Sequence, residues 1–124
     1  MFSVLMALAF AASGAAKVAH AQAKAPPAPA TDAELSTIRS TLDNELYDAE
    51  SARLKGFQIR HYQPWEPDHA ADACGMVNAK NRFGAYTGFQ PYYLVLYRKD
   101  GRDQGIILGK PDSLAKKFCD DLGM

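Results

Sequence analysis

The chain is short of several things, and each shortage removes a class of function. Its 14 Lys and Arg are offset by 14 Asp and Glu. Without a basic surplus there is little to neutralise a row of phosphates, which argues against nucleic acid as a partner. None of Ser36, Ser40, Ser51 or Ser113 sits in the strained G-x-S-x-G elbow of a hydrolase nucleophile. Glu66, Asp68, His69 and Asp72, even with His61 and Cys74 added, match no closed zinc spacing, so an acidic, solvated loop is the reading there. No metal and no cofactor is expected. A glycosidase-like carboxylate pair stays open, because 14 acids offer many pairs.

Only one long apolar run is present. Phe2 to Ala16 is almost uninterrupted and is followed by Ala19-His20-Ala21, an A-x-A cleavage pattern. It reads as a secretory signal peptide over residues 1–21, with Ala23 as the alternative cleavage point. No Lys or Arg precedes the run, which a start placed too far downstream would explain. An uncleaved anchor is the competing reading, but the run is shorter than the roughly 20 residues needed to span a bilayer. The expectation is an exported protein, periplasmic or secreted, with no stable membrane insertion after cleavage. Loss of residues 1–21 takes Lys17 from the cations and nothing from the acids, so the net charge moves from zero to −1.

Cysteine occurs only as Cys74 and Cys119. An even count in an exported chain favours a disulfide over free thiols or a metal pair. A loop of about 45 residues would gain roughly 3–4 kcal/mol from closure, useful to a small domain that buries a modest share of its surface.

Residues 22–31 are dominated by Ala and Pro and read as an extended, semi-rigid linker ahead of a single domain over 32–124. Thr31-Asp-Ala-Glu34 fits a capping box. Leu35, Ile38, Leu42 and Leu46 then form one apolar stripe of a helix ending near Tyr47 to Ala49, with Arg39, Asp43 and Glu45 on wet faces. A turn or short helical connector, 48–56, leads to a strand from Phe57 to Tyr62, where apolar and polar residues alternate. A second strand spans Ala73 to Ala79. Gly84 and Gly88 frame a loop from Phe83 to Phe89. A third strand, Tyr92 to Arg98, turns through Asp100-Gly101 into a fourth, Asp103 to Leu108. That turn pairs Lys99 with Arg102, Tyr97 with Gln104, Val95 with Ile106 and Tyr93 with Leu108. Pro111 opens a last helix with Leu114, Ala115, Phe118, Cys119 and Leu122 buried and Gly123 as its cap. The fold expected is α+β: N-terminal helix, four-stranded mainly antiparallel sheet and C-terminal helix, with both helices on one face and one disulfide.

The block Cys74-Gly-Met-Val-Asn-Ala-Lys-Asn-Arg-Phe-Gly-Ala-Tyr-Thr-Gly88, with Asp48-Ala-Glu-Ser-Ala-Arg53 upstream, resembles small exported proteins of unknown function from proteobacteria and their phages. Ala49 and Leu54 stand where those proteins usually carry Pro and Phe. The resemblance covers roughly residues 46–98 and implies a compartment without an activity.

Within that block Asn78, Lys80 and Asn81 offer paired amides and a cation to a ligand. The plainer role is that both Asn side chains hold a turn through backbone hydrogen bonds. Phe83, Tyr86 and Tyr92, with Trp65, Phe89 and Tyr93, lie in or beside loops and would give an interface large contact area, or else fill the core. The function expected is a non-catalytic binding module. It would use Asn78 to Phe89 and neighbouring aromatics to hold a protein or small envelope ligand. A small cell-envelope hydrolase or hydrolase inhibitor is the alternative.

Overall fold

The computed structural model describes residues 25–62, 70–111 and 114–124. The N-terminal segment read as a signal peptide, Trp65 with its neighbours in 63–69, and Ser113 lie outside them. Five antiparallel strands form one sheet in chain order: β1 (Ala28–Pro29), β2 (Arg53–His61), β3 (Ala70–Lys80), β4 (Tyr86–Lys99) and β5 (Arg102–Gly109). Helix α1 (Asp32–Leu42) precedes β2, and α2 (Ala115–Asp121) follows β5. The class is therefore α+β with a Cys74–Cys119 disulfide, and the strand count is five rather than four. The extra strand comes from the Ala/Pro segment. Proline cannot donate into a ladder, yet Ala28 and Pro29 pair at the edge with Ile59 and Gln58, and the Ala30 amide donates to the Phe57 carbonyl at 3.0 Å.

The capping box of α1 is complete: the Thr31 amide donates to Glu34 Oε1 at 2.9 Å, and the Glu34 amide to Thr31 Oγ1 at 3.2 Å. The helix ends at Leu42, earlier than the apolar stripe suggests. Asp43 caps it and the chain coils through 43–51, where the Ser51 amide donates to Asp48 Oδ1. Arg39, expected in solvent, instead clamps this coil by donating to the carbonyls of Ala49 and Ala52 at 2.9 and 2.8 Å. The stripe still serves the core, since Leu46 packs on it from the coil.

The two faces of the sheet are dressed differently, because side chains alternate along a strand. Ala71, Ala73, Val77, Leu94 and Leu96 face α1 and meet Ile38, Leu42, Phe57 and Ile59. Burying Ile38 and Leu42 stabilises by about 1.5–3 kcal/mol each. Cys74 and Tyr93 are cross-strand partners in the opposite phase, and they pack with Ala115, Cys119 and Phe118 of α2. The helices therefore lie on opposite faces, not together. Cys74 points away from α1, so the helix tied to it must lie across the sheet.

Several strand boundaries also move. β2 begins at Arg53, inside the expected connector. Its bulge sets Gly56, with φ +62°, beside Phe57 opposite Gly75. β4 begins at Tyr86, so most of the expected Phe83–Phe89 loop is strand. The β4–β5 hairpin turns on Asp100 and Gly101, both with positive φ, and its pairs hold as far as Val95–Ile106. A bulge then places Gly109, not Leu108, opposite Tyr93. Pro111 lies in a turn and Leu114 is the exposed N-cap of α2. Past the end of α2, the Gly123 and Met124 amides donate back to Asp120 and Cys119, the Schellman pattern that a left-handed glycine permits.

Candidate binding face

The Cys74–Gly88 block folds as the β3–β4 hairpin, and most of its residues have a local task. Asn78 Oδ1 accepts from the Gly88 amide at 2.9 Å. Asn81 Oδ1 accepts from the Phe83 and Ala85 amides at 2.9 and 3.1 Å, which closes the turn that Gly84 makes with φ +80°. Tyr86 donates its hydroxyl to the Ser51 carbonyl at 3.0 Å, pinning the hairpin to the coil after α1. Gly75 leaves room for a ring, since an added Cβ would lie 2.6 Å from Phe57 Cδ1 and closer to its neighbours.

On the face that carries α2, the register builds a strip running away from the helix. Lys55, Met76 and Pro91 form one cross-strand row; Arg53, Asn78 and Phe89 form the next; Lys80 and Tyr86 close it beyond a bulge. The cations lie on rings: the Arg53 guanidinium is 4.2 Å from the Tyr86 centroid, Lys80 Nζ 5.3 Å from the same ring, and Lys55 Nζ 5.2 Å from Phe89. Such contacts contribute about 0.5–1 kcal/mol each at exposed sites and hold the charged heads in place. Phe83 stands at the turn 87% exposed, and Phe89 is 41% exposed. Between the strip and α2 lies a groove of about 360 Å³, lined among others by Met76 and Pro91 on the sheet and by Lys116, Cys119, Asp120 and Met124 on the helix side. Lys116 is paired with Asp120 at 2.6 Å. By contrast, Arg53, Lys55, Lys80 and Arg82 form no ion pair among the described residues.

Of the residues singled out from sequence, Asn78, Lys80, Asn81, Phe83 and Tyr86 come together at this hairpin. Tyr92 does not, because it is buried on the α1 face beside Leu94 and Leu96. Tyr93 is committed to a buried polar cluster. Asp72 is 0% exposed and accepts from Tyr93 at 2.7 Å and from Tyr62 at 2.7 and 2.8 Å. Burial first, then the hydrogen bond to Asp72, pushes the Tyr62 phenol up to about 12. The same causes raise Tyr93. Arg60, cross-strand from Asp72, donates to the Leu122 carbonyl at the end of α2. Sequence reasoning misses Arg53 and Lys55, because the stretch 48–56 reads as a connector and only the Gly56 bulge turns both side chains onto this face.

Among the described residues the thiols, Asp72 and His61 do not form one site. The two thiols are joined, Asp72 is closed to solvent, and His61 lies on the α1 face with its Nε2 3.1 Å from Glu34. Asp72, Cys74 and His61 therefore do not converge, and among the described residues no group of three metal-ligating side chains occurs. Glu66, Asp68 and His69 lie outside the described residues. No described helix is long and apolar enough to cross a membrane. Scanned against models of known families, against curated proteins and against solved structures, the chain matches none.

Proposed function

We propose that the protein is an exported, non-catalytic binding module of the bacterial envelope or its exterior. It holds its partner on the strip formed by Arg53, Lys55, Lys80, Tyr86 and Phe89, with Phe83 at the hairpin tip. One observation carries this reading. Phe83 and Phe89 stand exposed on the same strip where Arg53 and Lys80 lie over the half-buried Tyr86 ring and Lys55 lies over Phe89. Aromatic and Arg residues dominate interface energetics because they contribute contact area and charge at little entropic cost. Asn78 and Asn81 serve the face indirectly, by holding the hairpin that presents it. Export rests on the apolar N-terminal run with its A-x-A pattern and is compatible with the disulfide. Kinship with the exported proteobacterial and phage proteins rests on the Cys74–Gly88 motif with the Asp48–Arg53 segment upstream.

Site-specific photo-crosslinking tests the reading. A photoreactive residue is placed at Phe83 or Phe89, and a control at Lys99, on the opposite end of β4. Adducts formed in the source cell's envelope at the first two positions and not at the third are the expected result. Equal labelling at all three, or labelling at Lys99 alone, would remove the face from consideration.

A further inference from the structure

Resting on that binding face, we infer that the partner is an acidic, extended protein segment that seats an apolar side chain in the groove beside the disulfide and sets its carboxylates along Lys55, Arg53 and Lys80. The groove explains the apolar anchor. Its volume of about 360 Å³ lies at the small end of ligand-sized cavities, about 300–1,000 Å³, and Met76, Pro91 and Met124 give it apolar walls. Methionine suits a site that must mould itself to a side chain.

The cations explain the charge. Lys55 and Arg53 are two residues apart on one strand, so their side chains repeat at roughly 7 Å on one face. A partner in extended conformation repeats its own side chains at that interval. The chain as a whole has no basic surplus, yet Arg53, Lys55, Lys80 and Arg82 gather at one end without carboxylate partners among the described residues. The Asp48 carboxylate is held below its usual range chiefly by hydrogen bonds from Ser51, with Lys80 a lesser cause. It is thus already engaged within its own turn. The Arg53 guanidinium carbon lies 4.2 Å from the Tyr86 centroid, a ring contact that leaves most of its five N–H donors for a carboxylate.

A lipid surface is the competing anionic partner, and the shape disfavours it. A planar bilayer cannot enter a concave groove. A polypeptide can satisfy the row of charges and the groove together.

An amide-resolved NMR titration of the intact domain decides the matter with four probes. These are a short synthetic peptide alternating Glu with Leu, the same peptide with Lys for Glu, a Glu–Gly peptide, and phosphatidylglycerol vesicles. The Glu–Leu peptide should shift the amides of Lys55, Met76, Phe89 and Met124 and bind about ten-fold or more tightly than the Glu–Gly peptide. The Lys–Leu peptide should leave those amides unmoved. Arg53→Glu with Lys55→Glu should weaken the Glu–Leu peptide by about ten-fold while the amide spectrum away from the strip remains that of the folded domain. If the Lys–Leu peptide binds as well as the Glu–Leu peptide, the inference is overturned. If vesicles perturb the same amides and no peptide does, the partner class is wrong while the face survives. Shifts confined to other surfaces, or none with any probe, would sink both.

Discussion

Replacing Gly75 with Ala probes the packing that shapes this face from behind. The added Cβ would stand 2.6 Å from Phe57 Cδ1 and nearer still to Cγ and Cδ2, whereas ordinary contact is 3.4–4 Å. The Phe57 ring is buried among Val77, Ile59 and Tyr92, so it cannot simply swing aside. Displacing such a ring by about 1 Å belongs to the overpacking class, about 1–3 kcal/mol. For a domain of this size each kcal/mol lowers the midpoint by roughly 4–8 °C. Part of that loss is masked, because Ala is easier than Gly to hold in a strand by about 0.5–1 kcal/mol. The clean assay is therefore a double-mutant cycle in urea with Phe57→Ala, which removes Cγ, Cδ1 and Cδ2, the ring carbons facing Gly75. In that background Gly75→Ala should be neutral or mildly stabilising, giving a coupling of about 1–3 kcal/mol. If Gly75→Ala costs the same with and without the ring, the close approach is not what requires glycine there, and the reasoning fails.

Breaking the disulfide as Cys74→Ala with Cys119→Ala should cost about 3–4 kcal/mol by loop closure. Hydrogen exchange should then show the amides of α2 losing protection before those of β3 and β4, since that helix is short and its packing cluster small. The folded state favours the neutral Tyr62 phenol, whose value rises from 10.0 to about 12. Its stabilisation is complete below pH 10 and is lost as pH climbs from 10 through 12. Absorbance at alkaline pH should show Tyr62 phenolate emerging only near pH 12, and its appearance near 10 in the folded protein would contradict the buried Tyr–Asp72 cluster. Asn81→Ala removes the acceptor for two amides and should cost about 1 kcal/mol, read as a lower melting temperature. An unchanged melt with weakened partner binding would instead make Asn81 a contact residue.

Much of this architecture is legible from residue order where the controlling interactions are local. The Thr31–Glu34 box, the Asp100–Gly101 turn and the Gly123 cap all involve neighbours within a few residues, and each forms as expected. The Cys74–Cys119 bond is the pairing that an even cysteine count suggests. What the sequence hides is set by tertiary contact. Pro29 reads as linker, and only its docking on Gln58 makes it a strand. The Gly56 bulge shifts β2 by one residue and brings Arg53 and Lys55 onto the face of Phe89, which no local pattern reveals. Arg39 looks like a solvated charge on its helix because its partners lie 10 to 13 residues on. The phase of Cys74 was readable in principle. Alternation from Ala73 places it away from α1, and so places the helices on opposite faces.

The claim at the centre of this account is that the Arg53–Lys55–Lys80 row is a binding surface and not part of the scaffold. The most direct test is the affinity of a crosslinked and identified partner for the wild-type domain against one carrying Arg53→Glu, Lys55→Glu and Lys80→Glu, with thermal unfolding followed on both. At least a ten-fold loss of affinity is expected, with a domain that still unfolds cooperatively and a melting temperature lowered only as far as three lost cation–ring contacts of about 0.5–1 kcal/mol each allow. Unchanged affinity in a folded triple variant would contradict that claim.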